Sequence, residues 1–297
     1  MRSILVTTLS FFVFTIAVSA QELDSIQIIK TGSWGVNFAN VGLSNWSAGG
    51  ESSVALGTVL NAKFVRKKGT RTLTKSIDFA LGGAKVGEKE FRKTDDNIIL
   101  QTKYTKRFSE NFRISAIGVF RTQLLDGFVY KADTENAGEE IAQKISGFMS
   151  PGYLSLNLGF DYQPSDRISI SLSPTSGKFT FVSDETLSAA GAFGVNPGEK
   201  SRAEFGVNLL ATLDVPIMEN INLKSSLNLF SNYEEFGTID TNWESLVVMK
   251  VNKWFNASLG TQLIYDKDIL IEQTDGGSDT AVQFKHVLNF GVNFALF

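Results

Sequence analysis

A histidine-based proton relay would have to use His286, because the 297 residues include one histidine, and the absence of cysteine excludes a thiolate nucleophile. A serine beside this imidazole, with an Asp or Asn to orient it, could form a hydrolase embedded in a membrane. No Gly-x-Ser-x-Gly turn is present to expose such a serine. We therefore expect His286 to lie without catalytic partners on the outer surface of the protein, and a hydrolase is kept only as an alternative.

A second group of candidate side chains lies near the C-terminus. Asp266, Asp268, Asp275 and Asp279 surround a Gly-Gly-Ser sequence at 276–278. Their oxygens could ligate Ca²⁺, but the spacing does not match an EF-hand loop. A solvated external loop is the preferred interpretation, and we expect no metal and no cofactor.

Composition and the N-terminus narrow the function classes. The charge balance is 28 Lys+Arg against 31 Asp+Glu, which argues against a nucleic-acid binder, and 43% hydrophobic residues argue against disorder. Residues 1–20 resemble a secretory signal peptide: a basic start, an apolar stretch from Ile4 to Val18 and a small-residue cleavage site ending at Ala20. No later apolar stretch is long enough for a transmembrane helix. Residues 21–31 are expected to form a short periplasmic segment.

Apolar and polar residues alternate with a period of two over most of the remaining chain, which predicts strands. From Leu154 to Tyr162 every second residue is apolar, with Ser155 to Asp161 between them. We predict twelve strands, at 32–40, 52–65, 72–85, 97–107, 112–124, 153–163, 167–174, 202–214, 221–231, 240–251, 254–266 and 282–297.

The connections between these strands alternate between short and long. This asymmetry is typical of outer-membrane barrels, which have short periplasmic turns, longer external loops and an even number of strands. We therefore predict an all-β fold: a single closed antiparallel transmembrane β-barrel of about twelve strands over residues 32–297, with both ends in the periplasm.

The polar half of the alternation must face water, because burying so many charges would cost several kcal/mol each. In a membrane barrel that water fills the lumen and the apolar half contacts lipid. Twelve strands leave a lumen between a filled barrel and an open channel. The mixed signs predict no strong ion selectivity. The predicted lumen-facing residues are Lys103, Arg113, Arg121, Asp161, Arg167, Glu204, Lys224, Glu244 and Lys250, together with Lys63 and Asp78.

Residues 43–50, Leu-Ser-Asn-Trp-Ser-Ala-Gly-Gly, follow an aromatic-glycine segment at 34–38. Together with 93–96, 148–153 and 172–178, they resemble the domain-of-unknown-function 3078 family of exported Gram-negative proteins. The resemblance implies an outer-membrane barrel and no catalytic residue. Within this motif, Asn45, Trp46, Gly49 and Gly50 could fold inward and plug the lumen, or form an external turn; both interpretations stay open.

These observations favour a non-enzymatic protein of the Gram-negative outer membrane, either a narrow pore or a structural barrel. The alternatives are the hydrolase and a binder or transporter of an apolar ligand. The last predicts an inward apolar patch around Ile117, Val119 and Leu246. Expected partners are outer-membrane lipid, the export and barrel-assembly machinery and a small solute, with no nucleic acid; the oligomeric state is open.

Overall fold

A computed structural model describes residues 25–41, 52–133, 140–272 and 278–296. The signal peptide at 1–20, the plug candidates Asn45, Trp46, Gly49 and Gly50, and the loop residue Asp275 lie outside these ranges, so the expectations about them stay predictions. Within the described ranges, no helix has the length and apolarity to cross a membrane.

Twelve strands close into one antiparallel barrel, which confirms the predicted fold and strand number. The first part of the chain forms β1 (Ile26–Val41), β2 (Ser53–Lys68), β3 (Arg71–Val86), β4 (Arg92–Arg107) and β5 (Phe112–Thr122). A separate hairpin of β6 (Gly127–Ala132) and β7 (Glu140–Ser146) follows, and the barrel resumes with β8 (Gly152–Ser165) and β9 (Ile168–Phe181).

The second part of the chain begins with a short helix, α1 (Glu185–Ala189), and a 3-10 turn at Ala192–Gly194. The barrel strands β10 (Ser201–Met218), β11 (Ile221–Asn232), β12 (Asp240–Lys250) and β13 (Phe255–Tyr265) come next. A small hairpin of β14 (Leu270–Glu272) and β15 (Ser278–Thr280) precedes the last barrel strand, β16 (Gln283–Ala295). The hairpins and α1 therefore occupy the long connections, as the barrel topology requires.

The first strand begins earlier than predicted. β1 pairs with β2 along its whole length, from Ile26 opposite Lys68 to Val41 opposite Ser53. Residues 26–31 of the expected periplasmic segment 21–31 thus belong to the sheet, because β2 offers a ladder partner to each of them. A backbone group without a partner is costly, so the strand continues as far as its neighbour does.

The ninth strand extends to Phe181 instead of ending at 174. The ladder between β8 and β9 shifts between Leu158 and Phe160, where β9 carries one extra residue near Pro174. A bulge of this kind inserts a residue and changes which side chains face inward. Because Pro174 and Gly177 are typical turn residues, the predicted end of this strand was too early in the sequence.

The barrel is apolar outside and polar inside. Leu158 is 56% exposed, whereas the neighbouring Asn157 is 6% and Asp161 1% exposed. The same alternation runs along β16, where Phe284, Leu288 and Phe290 are exposed. An outer surface of this kind belongs in lipid. The protein is therefore a transmembrane β-barrel.

Closure of the barrel joins β1 to β16 over Ser33–Asn37 and Gly291–Ala295. Gly35 pairs with Asn293, and Gly291 with Asn37, so that each asparagine side chain occupies the space a glycine leaves free. On the outer face of this seam Trp34 stacks on Phe294, with ring centroids 5.8 Å apart.

Candidate lumen constriction

Cross-strand partners share one face of a sheet, so the ladder shows which side chains point into the lumen. Arg113 pairs with Asp161, Lys103 with Ile117, and Glu244 with Gln262. The inward positions hold Lys103, Arg113, Arg121, Asp161, Glu204, Lys224, Glu244 and Lys250, as well as Lys63 and Asp78. Arg167 differs: it lies exposed in the tight turn between β8 and β9, because the ladder ends at Ser165 and Ile168.

An ion pair crosses the lumen between Arg121 on β5 and Glu244 on β12. Their side chains meet at 2.8 Å although the two strands are five places apart in the barrel. Glu244 also accepts hydrogen bonds from Asn242, at 3.2 Å, and from Gln262, at 3.0 Å. These bonds fix the carboxylate and so hold the bridge in place.

A second bridge centres on Lys178 of β9. Its ammonium group lies 2.6 Å from Asp240, 2.9 Å from Asp266 and 3.7 Å from Glu204, and it sits over the ring of Phe230 at 5.6 Å. Lys178 lies beyond 174, the predicted end of this strand, and so was not among the predicted lumen-facing residues. Asp240 begins the predicted strand 240–251 with the same parity as Glu244, but it was not among the predicted lumen-facing residues.

Arg202 ties the external loops to the same region. Its guanidinium group lies 2.8 Å from Asp268 and 3.3 Å from Glu204, and it donates a hydrogen bond to the carbonyl of Gly194 at 3.2 Å. The side chains of Asp266 and Asp268 are only 12% and 19% exposed. The interpretation of both as solvated loop residues was therefore wrong, since each pairs with a cation. No group of metal-ligating side chains occurs among the described residues.

We call the residues of these three interactions the ion-pair layer: Arg121, Lys178, Arg202, Glu204, Asp240, Glu244, Asp266 and Asp268. The layer lies toward the loop-bearing end of the barrel and contains three cations and five carboxylates. The side chains of these pairs are 4–39% exposed, so the pairs are partly shielded from water and are stronger than fully exposed pairs. The arrangement can narrow the lumen, and its carboxylates outnumber its cations, which leaves an excess of negative charge.

Polar side chains also line the inner face of the barrel nearer the short turns. Asp161 accepts hydrogen bonds from Lys103 at 2.9 Å, from Ser169 at 2.8 Å and from Ser171 at 2.5 Å. One terminal nitrogen of Arg113 is buried without a hydrogen-bond partner. The sequence predicted that Lys103, Arg113 and Asp161 point inward. It did not predict that the side chain of Lys103, on β4, extends past β5 and hydrogen-bonds to residues of β8 and β9.

The residues of the alternative functions are not brought together. His286 points outward from β16, and its ring lies 6.0 Å from that of Phe284. No hydrogen bond joins His286 to a serine or a carboxylate in the described ranges. Ile117 is buried on β5, whereas Leu246 lies on β12 opposite Lys224. The predicted apolar patch is therefore divided between two sides of the lumen and interrupted by polar side chains.

External segments are anchored above the barrel by charged side chains. Lys144 of the β6–β7 hairpin lies 2.9 Å from both Asp126 and Asp184. Asp184 caps α1 by accepting hydrogen bonds from the backbone of Thr186 and Leu187. The Leu187 N–H bond and Lys144 hold the pKa of Asp184 below its ordinary value of 3.8. The two carboxylates raise the pKa of Lys144.

Glu140 fastens the other side of this hairpin. It pairs with Lys89 at 3.1 Å and with Arg92, and these hydrogen bonds, that of Arg92 first, lower the pKa of Glu140. At the base of the hairpin, the backbone N–H groups of Leu124 and Leu125 donate to Asp96. The loops around the mouth are thus bound to one another by ionic contacts.

Comparison with protein families gives one match. Residues 38–128 fit the family described as "Protein of unknown function (DUF3078)". The chain resembles this family. Of the four stretches that suggested the DUF3078 resemblance, 43–50 and 93–96 lie within the matched segment, and 148–153 and 172–178 lie beyond it. No curated protein matches the chain.

Solved structures of similar shape share little sequence with the chain. The COG4313 outer membrane channel from Pseudomonas putida F1 has a TM-score of 0.39 and 10% identity, over 96% of this chain and 100% of that one. The translocator domain of the autotransporter NalP from Neisseria meningitidis has a TM-score of 0.38 and 10% identity, over 94% and 90%. The NanC porin has a TM-score of 0.38 and 6% identity, over 89% and 98%.

Proposed function

We propose that the protein is a narrow passive pore of the Gram-negative outer membrane, with an aperture set by the ion-pair layer. The observation that carries the proposal is the contact of Arg121 with Glu244, which joins two strands on different sides of the lumen. A bridge of this kind divides the cross-section, so only small hydrated solutes would pass on either side.

The charge of the layer suggests a weak preference for cations. Five carboxylates face three cations, and most of these groups are paired. Paired charges exert a weaker field than free ones, so the preference should be modest and sensitive to salt. The expected surroundings are outer-membrane lipid, with delivery by a signal peptide and insertion by the barrel-assembly machinery.

A structural barrel without a conducting lumen is the second candidate. It is favoured by the hydrogen-bonded cluster of Asp161 with Lys103, Ser169 and Ser171. These inward side chains occupy part of the lumen between the ion-pair layer and the short turns. Within the described part of the chain, no contact of His286 supports a hydrolase.

Conductance of the purified protein in planar bilayers separates the two candidates. The pore predicts stable single-channel steps, with a higher unit conductance in Arg121→Ala and in Glu244→Ala, because each variant removes half of the bridge. Trp243→Phe is the matched control, since Trp243 neighbours Glu244 but points outward. Its conductance should equal that of the unmodified protein. Absence of steps in all four proteins would reject the pore and support the structural barrel.

A further inference from the structure

Charged side chains on the outer face of the barrel are confined to one sector. The outward positions of β5, β8–β13 and β16 within the barrel wall carry no Lys, Arg, Asp or Glu. On β1–β4, the half of the wall nearer the short turns carries six, and all of them are basic. We call this set the basic patch: Lys30, Arg66, Lys68, Arg71, Lys75 and Lys106.

The ladder places these cations side by side. Lys68 is opposite Arg71, which is opposite Lys106, so three cations occupy one row across β2, β3 and β4. Like charges directly opposite each other destabilise a sheet. All six side chains are exposed, and none has a described carboxylate within ion-pair distance. Within the described ranges, therefore, no carboxylate compensates the positive charge of the basic patch.

An apolar recess lies beside the upper part of the basic patch. Lys30, Phe64 and Lys75 are partners across β1, β2 and β3 two outward rows above Lys68 and Arg71, and Arg66 lies in the row between. Above the row of Lys30 and Lys75 the recess, of about 590 Å³, is lined on the outer face by Ala62, Ile77 and Leu100. Ala62 and its β1 partner Gly32 carry little or no side chain beside the larger Ile77, and this difference leaves the hollow. Lys30 and Lys75 thus border the apolar recess on the side nearer the short turns.

We propose that the basic patch and this recess bind an anionic phospholipid of the inner leaflet. Its phosphate would lie between Lys30 and Lys75, within reach of Arg66, and one acyl chain would lie along Ala62 and Ile77. The short-turn end of outer-membrane barrels faces the periplasm, so the patch lies at the depth of the inner-leaflet head groups. Lysine stems pack along apolar surface while their ammonium groups reach the interface.

A phospholipid explains the site better than a periplasmic protein. The recess lies in the wall of the barrel, on the surface that otherwise carries Leu, Phe and Ile, where acyl chains are the available neighbours. Near a membrane surface each Lys or Arg contributes about 1 kcal/mol of attraction to anionic lipid. Six cations in one sector are therefore enough to select a lipid by charge.

Native mass spectrometry of the full chain in detergent tests the inference. The protein is titrated with phosphatidylglycerol, cardiolipin or the zwitterionic phosphatidylethanolamine, and the bound lipid is counted. We expect preferential retention of the two anionic lipids, and in Lys30→Gln/Lys75→Gln a loss of affinity of roughly 10–30-fold. Lys30→Arg/Lys75→Arg keeps the charge and should keep the binding.

The control is Lys67→Gln/Lys250→Gln, which removes two cations from the same end of the barrel at inward positions. It should bind lipid as the unmodified protein does. Equal binding of anionic and zwitterionic lipids would overturn the proposal, and so would an equal loss in the control. All variants are first checked for folding by the mobility shift of unheated barrel on gels, and the result does not depend on whether the lumen conducts.

Discussion

Gly159 on β8 packs directly against the backbone carbonyl of Leu172 on β9. A Cβ at residue 159 would overlap that oxygen and would lie 2.5 Å from the Cα of Ser173. The contact occurs where the ladder shifts between the two strands. The bulge that carries β9 past Pro174 therefore depends on a residue without a side chain.

Gly159→Ala should destabilise the barrel by about 1–3 kcal/mol, because backbone atoms cannot move aside as a flexible side chain can. Urea unfolding in detergent micelles measures the change. Gly118→Ala is the control, since a Cβ there meets only Leu156 Cδ2 at 3.5 Å. Similar unfolding midpoints for the two variants would show that the approach at Gly159 relaxes without cost.

Lys178→Met should destabilise the barrel by about 3 kcal/mol, because it leaves Asp240, Asp266 and Glu204 without their shared cation. Removing one of these carboxylates as well, in Lys178→Met/Asp240→Asn, should restore part of the loss. Urea unfolding of the single and double variants is the measurement. A double variant less stable than Lys178→Met would contradict the account of Lys178 as the counter-ion of this cluster.

Attachment of the β6–β7 hairpin should depend on pH. The pKa values of Asp184 and Glu140 are lowered, so their contribution is complete above the ordinary values of 3.8 and 4.5 and is lost as pH falls through the lowered values. The pKa of Lys144 is raised above 10.5, so its contribution is lost only as pH rises through that raised value. The hairpin should stay docked between about pH 5 and pH 10 and loosen below about pH 4.

Hydrogen–deuterium exchange of peptides from β6 and β7, corrected for the intrinsic effect of pH, measures this attachment. Peptides from β2 and β3 in the same protein are the internal control, because their ladder does not depend on these loop carboxylates. Lys144→Met should show the faster hairpin exchange already at neutral pH. Exchange that is uniform from pH 3 to pH 7 would mean that the ionic contacts do not hold the hairpin.

The strands, their number and their two faces could be predicted from the sequence, because side-chain alternation is a property of the extended backbone itself. The pattern around Leu158 and Asp161 indicates which residues meet lipid and which meet water without any knowledge of the neighbouring strands. The limits of β1 and β9 could not be predicted. The first depends on how far β2 extends, and the second on a bulge that turn-like residues conceal.

Only the tertiary structure decided which charges meet. Arg121 and Glu244 are 123 positions apart in sequence, and alternation places both inside without indicating that they face each other. Their distance depends on the barrel radius and on the stagger of its strands, which follow from closure of the whole sheet. For the same reason the outward cations of β1–β4 were recognised as one patch only when the ladder placed Lys68, Arg71 and Lys106 in a single row.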